Sequence, residues 1–149
     1  MSFMTILPAS ARSTFTVTAH MVNTGETTYI DYVDHNGNEH WCGQDTFSYT
    51  GDLIAAKTMY SCWVGTFTTV VRGVGIGFYD VQAMKTPYGT KSGTFAISIF
   101  EEYDYPMAYS WGTVMVLYGT GGLRGLQGTG AFTCDFYGAC DVTYTLYFR

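Results

Sequence analysis

Charged residues are scarce in this chain, and their scarcity excludes several classes of protein. Of 149 residues, 13% are Asp, Glu, Lys or Arg, and the seven Lys and Arg residues are scattered along a chain of net charge −5. A basic face that tracks phosphates is therefore not expected, which argues against a nucleic-acid-binding protein. A disordered chain is also excluded, because such chains are poor in aromatic residues and 17% of this one is aromatic.

Long apolar runs are absent as well, so we expect no membrane span. The N-terminal stretch MSFMTILPASARST has no charged segment ahead of its short apolar run, unlike a secretory signal. We therefore predict a cytoplasmic protein whose four cysteines, Cys42, Cys62, Cys134 and Cys140, are free thiols. Four cysteines alone do not settle the compartment, and Cys134 and Cys140 could pair if the chain were secreted.

Helical periodicity is the third absence. Apolar residues recur with period two and are interrupted at short intervals by turn residues, as in Ser13–Met21 (STFTVTAHM). About eight strands with short connections predict one all-β domain over residues 1–149, either an antiparallel sandwich or a barrel. An eight-stranded barrel either fills its interior with side chains or holds one small ligand.

The hairpin DHNGNEHWC raises the question of a metal site. Asn36-Gly37 predicts a two-residue type I′ turn, which pairs Val33 with His40. His35, His40 and Cys42 would then share a face, and zinc accepts such ligands. No second cluster completes a site, so an ordinary polar hairpin is favoured and no metal is predicted.

The glycine-rich stretch YGTGGLRGLQGTGAFT (118–133) resembles a nucleotide-binding loop at first sight. Neither of its G-x-G starts is followed by the third glycine of the dinucleotide fingerprint, and no Gly-Lys-Ser/Thr follows. The next residues alternate like a strand and offer no helix N-terminus. We predict that these glycines form a tight connection and a bent strand, and that no cofactor is bound.

The same stretch resembles the final hairpin of the small barrels related to allene oxide cyclase, which include uncharacterised bacterial and fungal members and are similar to the dirigent-like barrels. FSYTGDL (47–53), KSGTF (91–95) and YTLYF (144–148) are similar to further segments of that superfamily, in the same order. The resemblance implies an eight-stranded antiparallel up-and-down barrel, often a dimer or trimer, with a central apolar cavity. In the plant cyclases a Glu and an Asn on the first strand assist ring closure.

Strand alternation and this resemblance together nominate site residues. The face of the first strand that carries Thr16, Thr18 and His20 is expected to look into the barrel, with His20 able to move protons near neutral pH. Those threonines occupy the places of the cyclases' Glu and Asn, so allene oxide cyclisation itself is not expected. On the long strand, Arg72, Asp80 and Gln82 share a face opposite the glycines at 73, 75 and 77. Predicted catalytic residues are Asp80, His20, Gln82 and Arg72, and predicted substrate-binding residues are Thr16, Thr18, Tyr60, Cys62, Phe78 and Trp41.

The acidic stretch FEEYDYPM contains Glu101, Glu102 and Asp104. Adjacent strand residues point in opposite directions, so Glu101 and Glu102 would not form a dyad, and we predict a solvated loop.

Three functions fit the sequence. The first is a cofactor-independent cyclase or isomerase that folds a small, largely apolar polyketide or terpenoid intermediate in an aromatic cavity. The second is a non-catalytic barrel that binds a small hydrophobic ligand. The third is a filled barrel that acts as an oligomeric structural or interaction module.

Overall fold

The computed structural model describes residues 13–66, 68–135 and 138–149, and these form an eight-stranded antiparallel barrel. Each strand pairs with the next along the chain, and β1 pairs with β8 to close the ring. The strands are β1 (Phe15–Val33), β2 (Glu39–Gly51), β3 (Leu53–Gly65), β4 (Val70–Thr86), β5 (Gly89–Asp104), β6 (Tyr109–Gly121), β7 (Leu126–Asp135) and β8 (Ala139–Phe148). The predicted all-β, up-and-down architecture is confirmed. Across the described residues, no helix is long and apolar enough to cross a membrane.

β1 extends beyond the predicted strand Ser13–Met21, because bulges at 23–25 and 28–30 let its pairing with β2 continue to Val33. β2 and β3 meet at a sharp turn, where Gly51 has φ +108°. The N-terminal stretch 1–12, on which the predicted compartment rests, lies outside the described residues, as do 67, 136 and 137.

The β1–β2 connection is longer than the predicted two-residue turn. Val33 pairs with Glu39, so residues 34–38 form the loop. The Asp34 carboxylate accepts hydrogen bonds from the backbone N–H groups of Asn36 (2.9 Å) and Asn38 (3.0 Å), which wraps the loop around this side chain. The predicted pairing of Val33 with His40 is therefore wrong by one residue.

The glycine-rich stretch forms the end of β6, the β6–β7 turn and most of β7, in line with the predicted connection and strand. Gly121 and Gly125 have φ of +62° and +83°, a region that glycine enters without steric cost. Between them the turn is tied by hydrogen bonds from Leu123 N–H to the Thr120 carbonyl and from Leu126 N–H to the Leu123 carbonyl. Leu123 is fully buried, so the turn closes this end of the barrel.

The barrel interior is packed at the end where β1 begins. Tyr79 stacks on Phe95 with ring centroids 4.1 Å apart, and its hydroxyl hydrogen-bonds to those of Tyr49 and Tyr144. Around this group lie fully buried aliphatic side chains, namely Val17, Leu53, Met84, Leu126 and Leu146. We name this half the packed end and the opposite half, where β1 meets the 34–38 loop, the open end.

The four cysteines form two disulfides, so the predicted free thiols are wrong. Cys42 and Cys62 are paired neighbours on β2 and β3, and Cys134 and Cys140 are paired neighbours on β7 and β8. Each bridge joins residues directly opposite one another in an antiparallel ladder, where side chains lie closest. The pairing of Cys134 with Cys140, expected only for a secreted chain, is present.

We expect the Cys42→Ser and Cys62→Ser double variant to lose stability. Its bridge spans 20 residues, which in the chain-entropy description is equivalent to about 3 kcal/mol of unfolding free energy. The Cys134–Cys140 bridge spans 6 residues, and its removal should cost less, about 2 kcal/mol. Guanidinium unfolding of both double variants measures which bridge contributes more unfolding free energy. A wild-type unfolding midpoint that does not change when dithiothreitol reduces the bridges would contradict the prediction.

Candidate functional site

The open end of the barrel holds a cavity of about 290 Å³. Its walls combine aromatic rings with polar and ionisable groups. The aromatic members are Trp41, Phe47, Trp63, Tyr103, Tyr105 and Phe132, and the polar members include Asn23, Glu26, Asp45, Lys57, Glu101 and Ser110. The predicted cavity is thus present at one end of the barrel, and its lining is less apolar than expected.

Lys57 is the most unusual residue of this cavity. It lies in the middle of β3 between Ala55 and Met59, points inward, and is 3% exposed. Its Nζ lies 3.4 Å from Met21 Sδ and 4.5 Å from the ring centroid of Phe47. Among the described residues it forms no ion pair with a carboxylate. A buried ammonium held only by a thioether and aromatic faces is costly, so the neutral amine is favoured.

The pKa of Lys57 reflects this setting. Burial lowers it from 10.5 to about 7, and the charges of Glu101 and Asp45 only partly oppose the shift. Lys57 therefore exchanges its proton near neutral pH, as a general base or an amine nucleophile must.

Glu101 supplies a matching acid. The acidic stretch is the end of β5 and not the predicted solvated loop, and it points Glu101 inward while Glu102 faces out toward Arg72, 3.6 Å away. Burial raises the pKa of Glu101 from 4.5 to about 7, against a smaller lowering by a hydrogen bond with Ser110 and by the charge of Lys57. The carboxyl therefore keeps its proton far above the usual range.

Asp45 adds a third ionisable group on β2. Burial raises its pKa, as does the nearby charge of Glu26, while a hydrogen bond with Asn23 and the charge of Lys57 lower it. The cavity therefore gathers one amine and several carboxyl groups, whose protonation states depend on one another.

Glycines on β4 make room for this arrangement. A Cβ atom on Gly73 would lie 2.5 Å from the ring of Trp63, and one on Gly77 would lie 3.3 Å from Lys57 Cδ. Trp63 can thus lie flat against the β4 backbone, where it stacks with Trp41 at 5.2 Å. The face of β4 that carries Gly73, Gly75 and Gly77 is its inner face, and the lack of side chains there leaves space for the larger side chains of β3.

The predicted catalytic residues lie on the outer surface. His20 is 52% exposed and pairs with Asp141 at 3.2 Å, and Arg72 is 72% exposed. Asp80 and Gln82 are also exposed, while their neighbours Tyr79 and Val81 point inward. The predicted orientation of β1 and β4 is therefore inverted, because each strand alternates in the opposite phase.

The predicted substrate-binding residues divide between the two faces. Thr16, Thr18, Tyr60, Cys62 and Phe78 are on the outer face, where Tyr60 and Phe78 meet edge to face at 6.3 Å. Thr18 holds the β2–β3 turn through 3.1 Å hydrogen bonds to the Asp52 carboxylate. Trp41, in contrast, lines the cavity as expected.

Two of the three hairpin side chains considered for zinc are otherwise engaged, while His35 is exposed. His40 Nε2 lies 2.8 Å from Asp34 Oδ2, and its ring stacks on Tyr32. Cys42 is in a disulfide, which removes its thiolate. Among the described residues no group of three His, Cys, Asp or Glu side chains is placed to hold a metal ion.

Neither Lys57 nor Glu101 was predicted from the sequence to be a site residue. The sequence does carry one signal, a single lysine in the middle of the otherwise uncharged strand LIAAKTMYSCW. Such a lysine is either a buried site residue or a solvent-facing residue that identifies the outer face of the strand. The sequence could not choose between these, since both faces of β3 carry large apolar side chains.

Comparison with known proteins adds the fold alone. No protein-family model matches the chain, and no curated protein matches it. Among solved structures, the chain is similar to a protein of unknown function from the DUF3224 family of Shewanella oneidensis MR-1. The two share 17% sequence identity with a TM-score of 0.68 over 93% of this chain and 99% of that one. The similarity therefore covers most of the chain and bears on the fold alone.

Proposed function

We propose that this protein is a cofactor-independent isomerase or cyclase of a small, largely apolar molecule that carries a carbonyl or epoxide oxygen. The observation behind the proposal is a lysine and a glutamate in one aromatic cavity, with pKa values displaced in opposite directions to about 7. The neutral Lys57 amine can act as a general base, and the protonated Glu101 carboxyl beside it can act as a general acid.

The reaction needs one proton removed and one delivered. The neutral Lys57 amine takes a proton from the carbon next to the carbonyl, while the Glu101 carboxyl gives its proton to the carbonyl oxygen, forming an enol. In a substrate with a further C=C bond, Lys57 returns its proton to a different carbon of the dienol while the Glu101 carboxylate takes back the hydroxyl proton, and the double bond shifts. Attack by the enol carbon on an epoxide carbon of the same molecule instead closes a ring: the C–O bond at that carbon breaks, its oxygen takes the proton from Lys57, and the Glu101 carboxylate takes back the enol proton. Trp41, Trp63 and Phe47 hold the substrate in a folded shape and exclude water.

The cavity limits the size of the substrate. Its 290 Å³ is at the low end of the roughly 300–1,000 Å³ typical of small-molecule sites. A compound with one ring or a short chain is favoured over a large polyketide or terpenoid intermediate.

The resemblance to allene oxide cyclase-like barrels stays a prediction, and one feature supports it. The plant cyclases use a Glu and an Asn on the first strand, and β1 brings Asn23 and Glu26 to the cavity wall. These residues lie further along β1 than Thr16 and Thr18, the positions first matched.

A deuterium-exchange experiment tests the proposal. We expect the protein to accelerate exchange of the protons next to the carbonyl of cyclohexanone in deuterated buffer at neutral pD, followed by NMR. Lys57→Met should reduce the rate to that of buffer, because the base is lost. Asp80→Asn and His20→Ala are matched controls on the outer face and should keep full activity. Loss of exchange in these two controls, with the rate of Lys57→Met unchanged, would show that the site is on the outer face and would overturn the proposal.

The alternative function is a non-catalytic binder of a small hydrophobic ligand, favoured by the aromatic wall. Incubation with linear polyketide or terpenoid precursors separates the two. A new ring or a shifted double bond supports catalysis, whereas quenching of Trp41 and Trp63 fluorescence with unchanged recovery supports binding alone.

Assembly and compartment also remain proposals. The outer face of β3–β6 exposes many large apolar side chains, which supports the expected homo-oligomer. These side chains are Tyr60, Val74, Ile76, Phe78, Phe100, Met115 and Leu117. The two disulfides favour an oxidising compartment over the cytoplasm expected from the sequence.

A further inference from the structure

We propose that Lys57 captures small aldehydes and ketones covalently, as a Schiff base between its Nζ and the carbonyl carbon, inside the open-end cavity. The inference rests on the proposed function, since both place a carbonyl compound in that cavity. It goes further in assigning Lys57 a nucleophilic role and in naming the class of compound that is bound covalently.

The placement of Nζ carries the inference. A lysine that is 3% exposed would ordinarily be paired with a carboxylate, and Lys57 is not. Its neighbours are Met21 Sδ at 3.4 Å and the faces of Phe47, Tyr49 and Tyr79 at 4.5, 5.3 and 5.5 Å. A thioether and aromatic rings leave the nitrogen lone pair free, and the side chain lines the cavity. Desolvation of this kind activates a lysine as a nucleophile.

The remaining cavity groups suit the steps of imine formation. The Nζ lone pair attacks the carbonyl carbon, the C–O π bond breaks, and the oxygen takes the proton of the Glu101 carboxyl. The Glu101 carboxylate then removes one proton from the new ammonium nitrogen and returns it to the carbinolamine hydroxyl. That group leaves as water while the nitrogen lone pair forms the C=N bond. The product is a protonated imine beside the Glu101 carboxylate, and no further reagent is consumed.

Carboxyl groups around Lys57 come from four strands. Glu26 on β1, Asp45 on β2, Glu101 on β5 and Asp135 on β7 all line the same cavity. Their negative charge would stabilise the protonated imine. Phe47, Trp41 and Trp63 favour a carbonyl compound with an apolar body.

The test is reductive trapping of the wild-type protein. Benzaldehyde and sodium cyanoborohydride at pH 7 convert an imine to a stable benzylamine, which intact mass and peptide mapping locate. We expect Lys57 to be benzylated at least ten times faster than Lys85, which is exposed and lies near Asp52. Because both lysines are in one sample, the comparison needs no variant. In guanidinium the preference for Lys57 should disappear, and Lys57→Met should lose the fast mass increase.

The outcomes separate this inference from the proposed function. Trapping at Lys57 without deuterium exchange in cyclohexanone supports the covalent site and overturns the isomerase. Exchange without trapping keeps the isomerase, with Lys57 as a base only, and overturns the Schiff base. Labelling of Lys57 no faster than Lys85 in the folded protein also overturns it.

Discussion

Replacing Lys57 by methionine is expected to stabilise the protein at pH 7 while removing its chemistry. Methionine is close to lysine in length and fits beside Met21 and Phe47 without desolvating a charge. Replacing a buried ion pair by apolar groups of similar volume is often neutral or raises the unfolding free energy by roughly 1–4 kcal/mol. We expect a gain of that order for the Lys57 amine, which has no ion-pair partner among the described residues. Guanidinium unfolding at pH 7 measures the gain. Lys85→Met, at an exposed site, is the matched control and should change little.

The pH dependence of stability gives a second measure of the same residue. The pKa of Lys57 is about 7 in the folded protein and about 10.5 when unfolded, so between these values the unfolded chain binds more protons. Stability should therefore rise with pH above 7, by up to about 1.4 kcal/mol per pH unit, and Lys57→Met should abolish the rise.

Glu101 acts in the opposite direction below pH 7. Its pKa is about 7 when folded against 4.5 when unfolded, so the folded protein binds more protons across this window. Its contribution to stability is present below pH 4.5 and is lost as the pH rises to 7. Together the two groups predict a stability minimum near pH 7, unlike the maximum usual for proteins between pH 5 and 8.

The useful range for this measurement is pH 5–9. Nearer pH 4 the lowered pKa values of Asp34 and Asp52 contribute, and near pH 10 the raised pKa values of the buried tyrosines do. A wild-type stability that changes monotonically across pH 5–9 would contradict the assigned states of Lys57 and Glu101.

The fold could be predicted because strand alternation and turn residues are local signals. The glycine-rich β6–β7 turn and the count of eight strands both follow from them. The site could not be predicted, because which face of each strand points into the barrel depends on how the whole barrel closes. On β4 the outer face carries Val74, Ile76 and Phe78, and the inner face carries glycines, so hydrophobicity favours the wrong side.

The same closure explains why Glu101 was expected in a loop. FEEYDYPM is rich in charge, and charge in a short segment favours solvent. In the barrel its first five residues are the end of β5, and Glu101–Tyr103 lie between Val71–Gly73 of β4 and Ser110–Gly112 of β6, so every second side chain must point inward. Pairing across strands therefore places a carboxyl group where local composition predicts water.

Replacing Glu101 by glutamine is expected to lower deuterium exchange in cyclohexanone by ~10²–10⁴-fold, the usual contribution of a positioned general acid. The amide keeps the size of the side chain and its contact with Ser110, but it has no acidic proton to give. Stability should not fall, because a buried carboxyl with a raised pKa is replaced by a neutral group.

The shape of the pH–rate profile identifies which group does what. The productive form of the wild-type pair holds one proton on Glu101 and none on Lys57. Below pH 7 Lys57 is protonated, and above it Glu101 is ionised, so the rate should pass through a maximum near pH 7. Glu101→Gln should lose the alkaline fall and keep the acidic one, displaced to lower pH because the charge that raises the pKa of Lys57 is gone. An unchanged bell in this variant would remove Glu101 from the proton transfer. The pH of highest activity should then coincide with the pH of lowest stability, because the same two desolvated groups cause both.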